Sequence, residues 1–495
     1  MKIHAPSSFS LFSRIKQRTG LALLIIVSLI ALYFIWRFSV DSAIGYDDIE
    51  EHFKYGSTGG ERVSGFPYWI FKVLPDVCPE HLPGKGYESL GLLFEEGKDL
   101  PIGVSKRRVT GLDRVFLNCA VCHTGTVRES QGAKPTLVLG MPANNFNVMG
   151  FQNFFFSCAR SAKFTADNII PVIDEQSGGL SLFDKYVVYP VAVSLMRDGL
   201  ISLADRFTFA DSQPDWGPGR VDTFNAAKAV FNFPFIRMNP AELIGTADLP
   251  SIWNQGQRQG MQLHWDGNNT DVTERNKSAA FGTGTTPPTI ELANIKRIED
   301  WLLSASPPDY PYAINQELAS KGKPLYQQYC SSCHGQNGKD FSGDHVGTVV
   351  PIEDIKTDRW RLDSYTYTLA VNQNTLYAGY PWRFKNFRKT YGYANMPLDG
   401  VWLRSPYLHN GSVPSIRDLL NPSDQRPKVF YRGYDVFDQQ KLGFVTTVPD
   451  KAKTLYFEFD TSLPGNGNFG HEGKIYGTEL PDKEKEALVE YLKTF

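Results

Sequence analysis

The sequence feature that most constrains this chain is a five-residue motif that occurs twice. Each copy has two cysteines separated by two residues, with a histidine directly after the second: Cys119, Cys122 and His123, then Cys330, Cys333 and His334. This spacing is typical of c-type haem attachment, because the two thiols add to the porphyrin vinyl groups and the adjacent imidazole then reaches the iron as proximal ligand. The motifs therefore predict two covalently bound haems.

A zinc site or a redox-active dithiol would use the same residue types. Structural zinc takes four grouped ligands in a closed tetrahedron, whereas these motifs lie far apart and each carries its own histidine. Together they use four of the six cysteines, which chance does not explain. Covalent haem is the preferred interpretation. The other two cysteines, Cys78 and Cys158, either pair or remain buried thiols, and the sequence does not decide between these alternatives.

Length and composition favour a large, loop-rich protein. The chain has 495 residues, enough for more than one domain, and its 43 glycines and 31 prolines are spread along it. Its 51 basic and 53 acidic residues nearly balance, so nothing indicates a nucleic-acid partner. We expect a mainly α-helical fold with two cytochrome c-like haem domains in tandem.

The N-terminus predicts membrane attachment. Residues 20–36 are apolar apart from one serine, and the basic residues before them are not accompanied by any acidic residue. This pattern predicts a cytoplasmic basic segment at 1–19 and a transmembrane anchor at 20–37. A cleaved signal peptide ending near Ser42-Ala43 is the alternative. Both interpretations place residues from about 41 onward outside the cytoplasm, and we expect a protein anchored in the inner membrane with its haem domains in the periplasm.

Hydrophobic periodicity divides the rest of the chain. Residues 137–139 suggest a strand, and 182–206 a helix with Val187, Val191, Leu195 and Leu200 at helical spacing. A further helix at 289–304 is followed by Pro307-Pro308, which cannot continue it. We therefore predict a first haem domain at 41–310, which holds the active site, and a second at 311–495, which transfers electrons. The second is expected to end in a helix at 480–495 that packs across the helix before Cys330.

The second axial ligand of each haem decides whether the iron carries electrons or binds oxygen species. For the second haem the candidates are His409 and His471, and His471 is favoured because it lies in the loop before the last helix. For the first haem no histidine or methionine stands out, although Met141 and Met149 remain candidates. We expect that iron to have an open or water-filled site.

Three stretches resemble the bacterial dihaem cytochrome c peroxidase superfamily. His264-Trp265-Asp266-Gly267 resembles its F-W-D-G-R segment, residues 403–413 (LRSPYLHNGSV) resemble its T-A-P-Y-hydrophobic-H-x-G segment, and the tail from His471 resembles its last ligand loop and helix. The resemblance implies that Trp265 lies between the haems and that His409 and Arg404 lie near a haem edge. A histidine at 471 is closer to the dihaem rubber oxygenase branch, since peroxidases have methionine there. Some relatives also hold calcium, near the positions of Asp248, Asn254 and the Pro406 carbonyl.

Two departures separate this chain from the peroxidases that it resembles. No histidine soon follows the first motif, and Thr285 stands where the resemblance implies the glutamate that transfers protons during peroxide cleavage. Phe281 makes the same segment apolar. Glu274 is nearby but aligns better with a helix residue of the family. The candidate catalytic residues are therefore Trp265, Phe281 and Glu274.

The sequence thus predicts a dihaem oxidoreductase of the peroxidase superfamily. Peroxide or dioxygen would react at the first haem, with electrons passing through the second from a cytochrome or cupredoxin donor. The alternatives are a dioxygenase for an unsaturated lipid or polyisoprenoid and an electron-transfer cytochrome without catalysis.

Overall fold

The computed structural model describes residues 8–230, 232–448 and 456–495, with only the backbone for 8–17. The predicted cytoplasmic segment 1–19 therefore lies largely outside the described residues. Within these ranges the chain forms sixteen α-helices. They are α1 (Ser8–Ser39), α2 (Ile49–Tyr55), α3 (Tyr68–Val77), α4 (Val148–Arg160), α5 (Ala166–Gln176), α6 (Tyr189–Arg206), α7 (Thr223–Val230), α8 (Val272–Gly282), α9 (Leu292–Leu302), α10 (Gln316–Tyr329), α11 (Ser331–His334), α12 (Ile352–Ile355), α13 (Trp360–Ser364), α14 (Tyr367–Leu376), α15 (Ile416–Leu419) and α16 (Asp482–Leu492).

The same residues form fourteen short strands. They are β1 (Asp41–Ala43), β2 (Phe66–Pro67), β3 (Val104–Val109), β4 (Leu112–Leu117), β5 (Thr124–Val127), β6 (Thr136–Leu139), β7 (Arg220–Val221), β8 (Ala247–Asp248), β9 (Val349–Pro351), β10 (Gly392–Ala394), β11 (Val429–Arg432), β12 (Phe437–Asp438), β13 (Gly443–Phe444) and β14 (Phe457–Asp460). Their largest sheet has the order β1-β3-β4-β2, with antiparallel pairs throughout. Helices and loops therefore dominate, and the predicted strand at 137–139 is confirmed as part of β6.

The four-stranded sheet positions the first cysteine motif. β4 ends at Leu117, and Asn118 follows as the cap of the single 3₁₀ turn Cys119–Val121. The Asn118 side chain accepts a hydrogen bond from the Ala120 amide and donates to the carbonyls of Lys54 and Gly56. This fully buried amide therefore joins the motif to the end of α2.

Cys78 and Cys158 form a disulfide, which resolves the alternative that the sequence left open. Cys78 caps the C-terminus of α3 and Cys158 lies in the last turn of α4. Both sulfurs are fully buried in the largest hydrophobic cluster. Disulfides persist in oxidising compartments, so this bond agrees with a location outside the cytoplasm.

The predicted C-terminal helix is confirmed. α16 packs its Ala487 and Leu488 side against α10, the helix that leads into Cys330. At the crossing, a Cβ added to Gly322 would lie 2.0 Å from the Ala487 carbonyl oxygen. Only glycine therefore lets the two helix backbones approach this closely.

Two other helix predictions are correct in place but not in every face residue. α9 begins three residues later than predicted and buries Ile295, Ile298 and Leu302, while Leu303 is exposed. The predicted helix at 182–206 forms, with a π-helical turn at Asp184–Val188 before α6. Its Val187, Val191 and Leu195 are exposed, however, because the core takes the opposite side of the helix.

The predicted domain boundary near residue 310 stays a prediction. A hydrophobic cluster joins Met141 and Trp253, from the predicted first domain, to Trp402 and Leu488 of the second. In the part of the chain that the structure describes, two helices are long and apolar enough to cross a membrane: Arg18–Ser39, which has no buried residue in its apolar window, and Asp184–Arg206, which is partly buried. The first of these coincides with the predicted anchor.

Candidate haem sites and the cleft between them

The first motif presents its histidine in a form suited to a metal. His123 Nδ1 lies 2.9 Å from the Pro250 carbonyl oxygen. Since a carbonyl only accepts, the ring proton resides on Nδ1 and the lone pair on Nε2. Burial, with the nearby Arg275 cation, lowers the His123 pKa to about 3. The imidazole is therefore neutral, which is the form that binds metals.

The second motif repeats this arrangement. His334 ends the short helix α11, and its Nδ1 lies 2.7 Å from the Met396 carbonyl oxygen. Burial lowers the pKa of His334 as well. Tyr326, which is fully buried in α10, donates to the Gly335 carbonyl and anchors the residue after the motif. In both motif histidines, Nδ1 thus donates to a backbone carbonyl, and the lone pair for a metal is on Nε2.

His471 faces His334 across a gap that an iron would fit. Their ring centroids are 6.1 Å apart, and two imidazoles on opposite faces of one metal, each with a metal–nitrogen bond of about 2 Å, have centres roughly 6 Å apart. Burial lowers the His471 pKa to about 3. Among the described residues, His471 Nδ1 has no hydrogen-bond partner. The structure therefore brings together the two residues predicted for the second haem.

The loop that carries His471 is held by one arginine. The Arg426 guanidinium donates to the carbonyls of Asn468, Gly470 and His471 from one side. It also donates to the carbonyls of Leu419 and Asn421 on the other. His471 itself has a left-handed backbone, with φ of 48°. This conformation is unfavourable for residues other than glycine, and the Arg426 hydrogen bonds stabilise it.

His409, the other candidate distal ligand, is placed differently. Its ring stacks on Tyr393 at a centroid distance of 4.0 Å, and its Nε2 has no partner among the described residues. Burial lowers its pKa well below the usual value, helped by Arg361 and Arg220. The structure places His471, and not His409, opposite His334.

The two motif histidines differ in their ring contacts. Among the described residues, His334 contacts the ring of His471, and His123 has no such contact with a histidine. Met141 and Met149, the methionine candidates, are buried in two separate hydrophobic clusters. The two sites are therefore unequal in the residues that surround them.

The four motif cysteines lie in surroundings that disfavour thiolates. Burial raises the pKa of Cys119 to about 11 and that of Cys122 to about 12. It raises the Cys330 pKa to about 12 and also raises that of Cys333. A thioether sulfur bound to haem carries no charge, so these surroundings are compatible with covalent haem.

A cleft with about 540 Å³ of empty space, part of which is open solvent, is lined by residues that support both motifs, and we call it the inter-motif cleft. Its lining includes Pro250 and Met396, whose carbonyls orient His123 and His334, and it also includes His264. His264 is half-buried, with φ of 65°, and its buried Nε2 has no partner among the described residues. The inter-motif cleft therefore contacts the two residues, Pro250 and Met396, whose carbonyls orient the motif histidines.

Three arginines give this cleft a positive charge. Arg258 and Arg404 both pair with the fully buried Asp399. Arg275 has no ion-pair partner in the part of the chain that the structure describes, and burial lowers its pKa to about 10. Haem carries two propionate carboxylates, and an unpaired buried arginine near His123 suits such a group. The lining thus fits haem in charge as well as in ligand type.

Trp265 lies directly beyond this cleft. Its Nε1 donates to the Asp248 carbonyl at 2.8 Å, and its own carbonyl accepts from the Ala394 amide. Its ring packs on the Ile352, Ile355, Leu362 and Tyr393 cluster, as does Tyr476, which contacts His471 at a centroid distance of 4.6 Å. Residues 264 and 265 therefore connect the cleft with the surroundings of His471.

The other two predicted catalytic residues both lie in α8 but make different kinds of contact. The Glu274 carboxylate accepts from the amides of Lys385 and Asn386 and from the side chains of Asn269 and Asn386. Both its oxygens are thus engaged in holding the 385–386 segment. Phe281 stacks on Tyr377 in an aromatic cluster that also contains Trp382 and Phe384.

Thr285 occupies the position that the resemblance gives to the peroxidase base. Its hydroxyl is buried and has no partner among the described residues. A threonine hydroxyl does not ionise near neutral pH and is a poor base. The residue therefore offers a hydrogen bond rather than a proton acceptor.

The residues suggested for calcium are already engaged. Asp248 pairs with Arg432, and Asn254 donates to Asp399. No cluster of three or more histidine, cysteine or acidic side chains suited to a metal occurs in the described ranges. We do not carry a calcium site into the proposed function.

Sequence reasoning missed the contacts that orient the ligands. Arg275, Arg426 and the carbonyls of Pro250 and Met396 have no local motif. A carbonyl is present at every residue, and an arginine on a helix is usually a solvated side chain. Only folding brings these groups to the motifs.

Comparisons with known proteins agree with this description. Residues 392–431 match the family model described as RoxA-like, cytochrome c-like. The uncharacterized protein y4iJ of Sinorhizobium fredii is 27% identical over 84% of this chain and 85% of its own length. The uncharacterized protein y4iM of the same organism is 31% identical over 50% of this chain and 64% of its own length.

The matched segment contains two residues that support the second site, but none of its cysteines or histidine ligands. It includes Met396, which orients His334, and Arg426, which holds the His471 loop. This part of the chain is therefore similar to the cytochrome c-like domain of RoxA-like proteins, and the similarity indicates a haem oxidoreductase.

Proposed function

We propose that this protein is a membrane-anchored, extracytoplasmic dihaem oxidoreductase. Cys119, Cys122 and His123 would hold the first haem. Cys330, Cys333, His334 and His471 would hold the second. Bound haem iron supplies the one-electron and oxygen chemistry that protein side chains lack. The observation that carries the proposal is the 6.1 Å spacing of the His334 and His471 rings, whose pKa values are both lowered.

The protein's own residues divide the two sites by role. His334 and His471 occupy both faces of the second site, which suits electron transfer. Among the described residues His123 makes no ring contact with another histidine, unlike His334, so the first site is the proposed place for peroxide or dioxygen. Arg275 contributes positive charge beside His123 and is proposed to bind a propionate. Trp265, held by Asp248 and Ala394, is proposed to relay electrons between the sites.

Within this class we propose an oxygenase rather than a peroxidase. Peroxide cleavage requires a group that accepts and returns a proton. The carboxylate of Glu274 is fully hydrogen-bonded and Thr285 is not basic. The similarity of residues 392–431 to RoxA-like proteins supports the same choice. The expected co-substrate is an apolar unsaturated lipid or polyisoprenoid.

Activity measurements test this choice. The full chain should be produced in a host that attaches c-type haem, and should consume dioxygen in the presence of an unsaturated polyisoprenoid. Turnover of hydrogen peroxide with a reduced cytochrome, and none with dioxygen, would make it a peroxidase. Two low-spin haems, with neither reaction, would make it an electron carrier.

Haem content tests the proposed attachment separately. A pyridine haemochrome assay should find two haems per chain, and Cys119→Ala/Cys122→Ala should reduce this to one while Cys330 and Cys333 retain theirs. Zinc in place of haem at either motif would contradict the assignment.

Replacing Trp265 with phenylalanine tests the relay. The ring packing is kept, but the hydrogen bond to Asp248 is lost. We expect about tenfold slower turnover, which corresponds to about 1.4 kcal/mol of activation free energy, with unchanged spectra of both haems. Stopped-flow reduction followed at each haem measures this rate.

Trp402→Phe is the matched control for that variant. Trp402 is buried, whereas Trp265 is half-buried, and it too donates its Nε1 to a carbonyl, that of Pro308. It packs in a different cluster from Trp265. If both variants slowed reduction equally, the effect would be structural and Trp265 would not be a relay.

A further inference from the structure

An apolar stripe lies on the outside of the helix that begins at residue 182. We call it the outer stripe, and its members are Leu182, Tyr186, Val187, Val191 and Leu195. These side chains are between 48% and 75% exposed. On the opposite side, Ala192, Val193, Met196 and Leu200 are buried in the largest hydrophobic cluster. The first half of this helix is therefore apolar on two faces, which its packing in the protein does not explain.

The outer stripe begins where the N-terminal anchor ends. Phe34 of α1 contacts Phe183, with ring centroids 4.7 Å apart. Arg37 pairs with Asp184, and its guanidinium also lies 5.5 Å from the Phe183 ring centroid. The last turns of α1 thus contact the first turn of the helix that carries the outer stripe.

The end of the anchor also marks the depth of the membrane surface. Tyr33 and Trp36 are exposed in the last two turns of the apolar span. Tyrosine and tryptophan are enriched where a transmembrane helix leaves the hydrocarbon core. The contact with Phe183 is at this same level, so the outer stripe starts at the membrane interface.

Charges along the helix agree with a shallow location. Asp184 pairs with Arg37, and Lys185 pairs with Asp174. Beyond Leu195 the exposed side turns polar at Asp198 and Ser202. The apolar half thus lies beside the anchor, and the polar half lies farther from it. Since the inner face is packed in the protein core, this helix cannot itself cross the bilayer.

We propose that the outer stripe inserts into the outer surface of the lipid bilayer beside the anchor. The helix would lie in the interface, with its apolar side among the acyl chains and headgroups. The haem-bearing body would then have one fixed orientation to the membrane instead of moving freely on a tether. This inference rests on the membrane anchoring in the proposed function, and does not depend on the haem chemistry.

Spin labels on full-length protein in phosphatidylcholine–phosphatidylglycerol vesicles test the insertion. If haem and the disulfide use all six cysteines, one new cysteine can be labelled selectively. Val187→Cys, Val191→Cys and Leu195→Cys sample the stripe, and Asp198→Cys and Ser202→Cys are controls on the same helix. We expect a several-fold higher ratio of dioxygen to nickel-chelate accessibility at the stripe positions than at the controls.

Three outcomes would overturn the inference. In the first, the intact mass includes the anchor, but the spin labels at all five positions are equally accessible to water. This result would exclude insertion of the stripe and leave the anchoring intact. A mass that lacks residues 20–37 would remove the anchoring and the insertion together. Dipolar broadening between labels at Val191→Cys would place the stripe against a second copy of the chain. In each case the haem spectrum reports whether the body is folded.

Discussion

Replacing His471 with alanine is expected to change the spin state of one haem and leave the other unaltered. The proposed second haem would keep its thioether bonds and His334, but would lose the imidazole that lies 6.1 Å from the His334 ring. We expect the low-spin ferric signal of the second haem to become high-spin, and turnover to fall about 10- to 100-fold. Electron paramagnetic resonance of the oxidised protein measures the first effect. The pyridine haemochrome assay should still find two haems.

Two further variants separate ligand loss from general damage. His471→Met keeps a ligand and should remain low-spin with a raised reduction potential, since histidine–methionine ligation raises it. His345→Ala removes an exposed histidine of the same domain and should change nothing. If His409→Ala, and not His471→Ala, produced the high-spin signal, the ligand assignment would be incorrect.

Replacing Asp399 with asparagine is expected to destabilise the inter-motif cleft strongly. Asp399 is fully buried between Arg258 and Arg404, and its carboxylate is their only described counter-ion. Without it two buried cations face each other, which typically costs about 3–5 kcal/mol. Chemical denaturation of wild type and variant measures the difference. Asp363→Asn breaks the more exposed pair with Arg359 and should cost less than about 1 kcal/mol.

The effect of Asp399 should also depend on pH. Burial alone would raise the Asp399 pKa, but Arg258 and Arg404 together hold it below its usual value. A carboxylate with a lowered folded-state pKa stabilises the protein above its unfolded-state pKa, near about 4, and loses this contribution as pH falls through the folded-state value. The stability difference between wild type and Asp399→Asn should therefore be constant at neutral pH and shrink in acid. A difference that grew in acid would contradict this assignment.

The spacing of apolar residues within a segment predicted those helices and strands that a short stretch of sequence decides. The predicted C-terminal helix and strand at 137–139 form because apolar periodicity within one segment decides them. The helix at 182–206 also forms, but three of the four apolar positions that indicated it, Val187, Val191 and Leu195, are exposed. Periodicity identifies an apolar side, and here two sides are apolar. One of these two sides packs in the protein core, and the sequence of the helix does not show which side it is.

The sequence alone predicted which residues attach a haem, because the spacing of two cysteines and a histidine within five residues is typical of that attachment. It also favoured His471 over His409 by its position before the last helix. The tertiary structure decided the rest: His471 faces His334, His409 stacks on Tyr393, Cys78 bonds to Cys158, and the Pro250 and Met396 carbonyls orient the two motif histidines. These contacts join residues distant in sequence, and their distances depend on the packing of the whole chain, which no segment encodes by itself.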